Sequence, residues 1–128
     1  MRQADSNAKS PVVAVVDDDV AVCNSLKFSL ELEGFKVRTY AGGEALLRAN
    51  DLAGCDCFVI DQKMPRLSGL DVLAKLRERG IATPAVLIIS LPSASLSARA
   101  AKENVPIVEK PLLGNTLVER IREACARG

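Results

Sequence analysis

No histidine occurs among the 128 residues. That removes the commonest general base and the usual imidazole metal ligand. It also excludes serine–histidine and cysteine–histidine nucleophile pairs. Any chemistry must use carboxylates, hydroxyls and amines. These groups follow a set of short apolar runs. Val12–Val16 runs into Asp17 and Asp18, Cys57–Ile60 into Asp61, Ala85–Ile89 into Ser90, and Val105–Val108 into Glu109 and Lys110. Carboxylates crowded together cannot all stay ionised without compensation. A hard divalent cation, Mg2+ (or Mn2+), supplies it and takes oxygen ligands from carboxylates, water and phosphate. A lysine ammonium and a serine hydroxyl suit phosphate oxygens. A carboxylate can itself attack phosphorus and form an aspartyl phosphate. The inventory matches phosphoryl transfer onto an aspartate, a reaction that asks mainly for positioning and charge neutralisation. Singly, these residues have plainer readings, since an Asp at a strand end commonly caps a helix or makes a turn. The ordered set carries the argument.

The elements that must position the set are legible as a βα alternation. Val12–Val16, Cys57–Ile60 and Ala85–Ile89 are continuous, β-branched runs of the kind buried on both faces of a parallel sheet. Phe35–Tyr40 alternates apolar and polar, as a strand nearer the edge does. Val105–Val108 contains Pro106, which costs a central strand a ladder bond and places this one at an edge. Between the runs lie helical patterns. Val22, Leu26 and Leu30 define one face, with Phe28 and Leu32 widening it and Gly34 as the stop. Gly42–Asn50 reads as a short helix. Ser68 caps a helix carrying Leu70, Leu73 and Leu76, and Gly80 closes it. Ser93–Asn104 is weakly amphipathic, and Leu112–Arg127 carries Leu113, Leu117, Ile121 and Ala124 at helical spacing. Strands alternating with helices imply one doubly wound α/β domain, with helices on both faces of a parallel sheet. In such sheets ligands bind at the carboxyl ends of the strands, which is where the polar set falls. Asp19, one step beyond the acidic pair, reads as a helix cap.

Composition narrows the function classes. A net charge of +1 argues against a nucleic-acid or acidic-membrane partner. One Tyr, three Phe and no Trp leave little for base stacking. No apolar stretch approaches a bilayer span, and residues 1–10 read as a flexible polar lead-in without a signal-peptide core. A cytoplasmic chain is expected. Cys23, Cys55, Cys57 and Cys125 fit reduced, mostly buried thiols. No glycine-rich phosphate loop follows the first strand.

The residues VVDDD at 15–19, DQKMPRLSG at 61–69 and EKP at 109–111 resemble the receiver domain of two-component response regulators. The likeness runs from about Val12 to Ala126, and it places a receiver domain over 11–128. It implies a (βα)5 fold with strand order 2-1-3-4-5. It implies Asp61 as phosphoacceptor. Asp17, Asp18 and Asp61, with the backbone carbonyl of Lys63, would be the metal ligands, Asp18 binding directly and Asp17 largely through water. Ser90 and Lys110 would contact the phosphoryl group, and the Lys110–Pro111 bond would be cis. The phosphodonor would be a histidine kinase or histidine phosphotransfer protein, and a homodimer could form through the fourth helix, fifth strand and fifth helix. Three features depart from the family pattern: Ile107, Leu91 followed by Pro92, and the short helix before the last strand with its unusual loop SLPSAS, on the face receivers use for signalling and dimerisation. Ile107 replaces the usual aromatic switch. Leu91 replaces a small residue and would narrow access to Asp61. Pro92, with Lys63, stands where receivers tune the lifetime of the phosphoryl group. Pro92 cannot position water, so a long-lived phosphoryl state is expected. The alternative is a receiver-fold interaction module that acts without phosphorylation.

Overall fold

The computed structural model describes residues 10–112 and 114–127. The lead-in over 1–9, Leu113 and Gly128 lie outside the described residues. The elements run β1 (Val12–Val16), α1 (Val20–Leu32), β2 (Lys36–Tyr40), α2 (Gly43–Arg48), a 3-10 turn (Leu52–Gly54), β3 (Cys57–Asp61), α3 (Gly69–Glu78), β4 (Ala85–Ile89), α4 (Ala94–Lys102), β5 (Ile107–Glu109) and α5 (Thr116–Arg127). The sheet is parallel throughout, in the order β2-β1-β3-β4-β5.

The doubly buried runs explain why the sheet is covered twice. Side chains alternate faces along a strand. Ala14, Val16, Phe58, Ile60, Leu87 and Ile89 therefore meet Leu46, Leu70, Leu73, Leu76 and Ala100 from α2, α3 and α4. Val13, Val15, Val59, Val86 and Ile88 meet Cys23, Leu26, Leu30, Leu117, Ile121 and Ala124 from α1 and α5. Each fully buried aliphatic side chain contributes about 1.5–3 kcal/mol, and ordering the chain offsets most of the total. The caps are local. The Asp19 carboxylate accepts from the N–H groups of Ala21 and Val22 and starts α1. Ser68 and Asp71 form a reciprocal capping box on α3.

Several boundaries correct the sequence reading. Phe28 and Leu32 do not widen the buried side of α1; they are 67% and 72% exposed. Helical spacing counts apolar residues, and only tertiary neighbours decide which of them are covered. The last helix begins at Thr116, because a turn at Gly114 (φ +66) and Asn115 separates it from Leu112. Gly42 and Ala49 flank rather than join α2, whose run is broken before the 3-10 turn. β5 starts after Pro106, whose carbonyl still accepts from the Leu87 N–H at 2.9 Å. The strand does lie at the sheet edge, as a proline at its head requires.

Candidate functional site

Each strand of the central trio delivers a polar residue to the same edge of the sheet. Asp17 follows β1 and is held from both sides: its N–H donates to the Tyr40 carbonyl at 3.2 Å, and its Oδ1 accepts from the Asp19 N–H at 2.9 Å. It is 4% exposed. Asp61 closes β3 opposite Ile88 of β4 and is 5% exposed. Asp18, between strand and helix, is exposed. Carboxylate oxygens of Asp17, Asp18 and Asp61 all lie within 4.8 Å of one another. Lys110, one residue past β5, brings its Nζ to 3.0 Å from Asp61 Oδ1.

The electrostatics follow from one ammonium facing three acids. Burial pushes the Asp61 carboxyl up. The Lys110 hydrogen bond and charge pull it down, the Asp18 charge pushes it up again, and the net direction is upward. Burial likewise raises Asp17, opposed by its bond from the Asp19 backbone and reinforced by the charge of Asp61. For Lys110, burial works against the ammonium, but the carboxylates of Asp61 and Asp17 outweigh it and hold the lysine charged. Burial works against the ionisation of Asp17 and Asp61, and a second cation beside Lys110 would offset the charge they carry when ionised. Three convergent carboxylate oxygens are the donor set of a hard divalent ion.

The other predicted site residues stand beside this pocket. Ser90 directly follows β4 and is exposed, as are Pro92 and Lys63. Leu91 is 82% exposed. Lys63, Ser90 and Leu91 line a neighbouring cavity of ≈ 210 Å³ with Gln62, Ile89 and Leu96. Ile107, in β5, is half-buried and packs against the core on the α2–α3–α4 face. Glu109 is exposed. The Lys110–Pro111 peptide is cis.

Two residues matter that sequence reasoning passed over. Gln62 stitches the loop after Asp61: its N–H donates to the Ile88 carbonyl, its carbonyl accepts from Gly69 N–H at 3.0 Å, and its Oε1 accepts from Leu70 N–H at 2.9 Å. Gly69 serves a close approach. A Cβ there would sit 2.7 Å from the Asp61 carbonyl oxygen and 2.8 Å from a Leu87 methyl. The only sequence signal for Gln62 was adjacency to Asp61.

A doubly wound sheet with an acidic, lysine-paired pocket at its strand carboxyl ends defines a small α/β domain with its candidate site at a topological switch point. Within that class the chain belongs to the response regulator receiver domain family, whose model matches residues 13–122. It is 31% identical over 119 residues to the response regulator protein TmoT of Ectopseudomonas mendocina, covering 92% of this chain and 54% of that protein. It is 32% identical over 116 residues to the transcriptional regulatory protein FixJ of Azorhizobium caulinodans, covering 90% and 55%. The chain thus spans about half the length of the curated relatives it matches. Among solved structures, FixJ-N superposes with a TM-score of 0.85 at 29% identity, covering 94% of this chain and 98% of that one. A receiver domain protein from Clostridium thermocellum also reaches 0.85, at 26% identity, covering 91% and 95%. No helix among the described residues is long and apolar enough to cross a membrane.

Proposed function

We propose that this domain accepts a phosphoryl group on Asp61 from the phosphohistidine of a histidine kinase or histidine phosphotransfer protein, in the presence of Mg2+ (or Mn2+). The observation that carries the reading is the convergence of Asp17, Asp18 and Asp61 within 4.8 Å, with Lys110 at 3.0 Å from the acceptor. The three carboxylates and the Lys63 backbone carbonyl would hold the cation. When bound, it offsets the surplus negative charge and shields the phosphoryl oxygens.

This chain's own residues account for the rest. Lys110 favours the ionised, nucleophilic form of Asp61 against burial. An Asp61 carboxylate oxygen attacks phosphorus. The new O–P bond forms as the N–P bond to the donor imidazole breaks, and the imidazole nitrogen leaves with the electron pair. The Lys110 ammonium then contacts one phosphoryl oxygen and the Ser90 hydroxyl donates to another. Ile107 fills the switch position without an aromatic ring. Pro92 brings no water-positioning group, so the phosphoryl state persists well beyond seconds. The domain is a signalling phosphoacceptor that catalyses only its own phosphorylation and dephosphorylation. It works in the cytoplasm and signals through α4, β5 and α5, the face that would also form a homodimer.

Intact mass after incubation with acetyl phosphate and Mg2+ tests the reading. One added phosphoryl unit is expected, absent without divalent metal and absent in Asp61→Asn. A wild type that stays unmodified, with partner binding indifferent to Asp61→Ala, would favour the phosphorylation-independent module instead.

A further inference from the structure

Four large hydrophobic side chains are well exposed among the described residues. Val20, Phe28 and Leu32 lie on α1, Val20 at its first position beside the acidic cluster and the other two further along the helix. Leu91 is the most exposed of the four, at 82%, and it follows directly on Ser90. Beside it opens the ≈ 210 Å³ cavity that Leu91 itself helps to line, with Ile89 and Leu96 as its other aliphatic walls and Gln62, Lys63 and Ser90 as its polar ones. An apolar cavity of about 150 Å³ is enough to hold benzene, so this one has room for an isobutyl group. A leucine in water next to an unfilled apolar space is a stored driving force, because burying it is favourable. Ile107 is not the mobile piece: it is half-buried and already packed against the core alongside Leu96.

We propose that Leu91 is the chain's switch residue, standing out in the unphosphorylated domain and folding into the Ile89–Leu96 cavity when Asp61 carries a phosphoryl group. The inference rests on the phosphoacceptor reading above. Asp61 pairs in register with Ile88, two residues before Ser90. A hydrogen bond from the Ser90 hydroxyl to a phosphoryl oxygen on Asp61 draws the end of β4 toward β3, across the mouth of the cavity, and carries Leu91 with it. That contact exists only in the phosphorylated state, so it supplies the differential interaction that a shift between two conformations requires. Pro92 holds the residue before it in extended backbone, which confines the movement to the Ser90–Leu91 junction. Filling the cavity joins the end of β4 to Leu96 on α4, so the state of Asp61 is read out as the packing of that helix.

The test uses the whole chain with methyl-labelled leucine and isoleucine, a soluble paramagnetic reagent, and Mg2+ with or without excess acetyl phosphate. Intact mass is recorded on the same samples. In the unmodified protein the Leu91 methyls are strongly broadened by the reagent. In the phosphorylated protein the broadening falls several-fold, and new contacts to Leu96 and Ile89 methyls appear. Leu91→Ala takes up the phosphoryl group but shows a much smaller shift at Leu96. Phosphorylation by mass with Leu91 still exposed overturns this inference and leaves the phosphoacceptor reading standing. Absence of the phosphoryl group overturns both.

Discussion

The floor and the rim of the site are built to opposite specifications. On the floor, Asp17 and Asp61 are buried, hydrogen-bonded or ion-paired, and held at the ends of β1 and β3. On the rim, Ser90, Leu91 and Pro92 are exposed at the end of β4, followed by a helix with Ala100 as its one buried residue. The difference teaches that the acid cluster sits on packed strand ends, while the rim beside it is a segment with little packing to lose.

The largest expected effect belongs to the floor. If the acids form a divalent-cation site, Mg2+ at a hundredfold excess over its dissociation constant stabilises the domain by about 2.7 kcal/mol. Asp17→Asn, followed by thermal unfolding across a Mg2+ titration, forfeits most of that gain. Gly69→Ala comes next. Its Cβ would meet backbone at Asp61 and a methyl of Leu87 at under 3 Å, so urea unfolding reports a loss of about 1–3 kcal/mol.

A smaller effect carries a sign. Burial raises both Asp17 and Asp61, so the native state holds their protons more tightly than the unfolded chain does. Their contribution to stability therefore falls as pH rises through the raised values and recovers on acidification. Without metal, Asp17→Asn, which keeps an acceptor for the Asp19 N–H, is more stable than wild type at neutral pH by about 1 kcal/mol. Unfolding measured over a pH series shows the gap closing toward about pH 4. A gap that widens on acidification would break the account of the floor. Smallest is the rim: Leu91→Ala shifts the stability of the unphosphorylated domain by less than about 0.5 kcal/mol. A loss of several times that would mean Leu91 is already packed, and the contrast between floor and rim would vanish.

Much of this was readable before any coordinates. The β1 and β4 limits follow from β-branched runs buried on both faces, and the residues after those runs fall at the site because a parallel sheet gathers its strand ends on one edge. What periodicity could not supply was neighbours. Phe28 and Leu32 look like core by spacing yet face outward. The turn at Gly114 and Asn115 interrupts a segment whose leucines continue a helical pattern. Gln62 acts through a bond to Leu70, eight residues on, which no local pattern encodes. The cavity beside Leu91 is a property of packing among β3, β4 and α4, and had no sequence signature at all.

The central claim is that Asp61 itself carries the phosphoryl group, and borohydride trapping tests it most directly. Reduction of the phosphorylated protein converts an aspartyl phosphate to homoserine, which peptide mass spectrometry can place. Homoserine at position 61 alone is the predicted result. Homoserine at 17 or 18, or none at all from protein that has gained a phosphoryl unit, would contradict it.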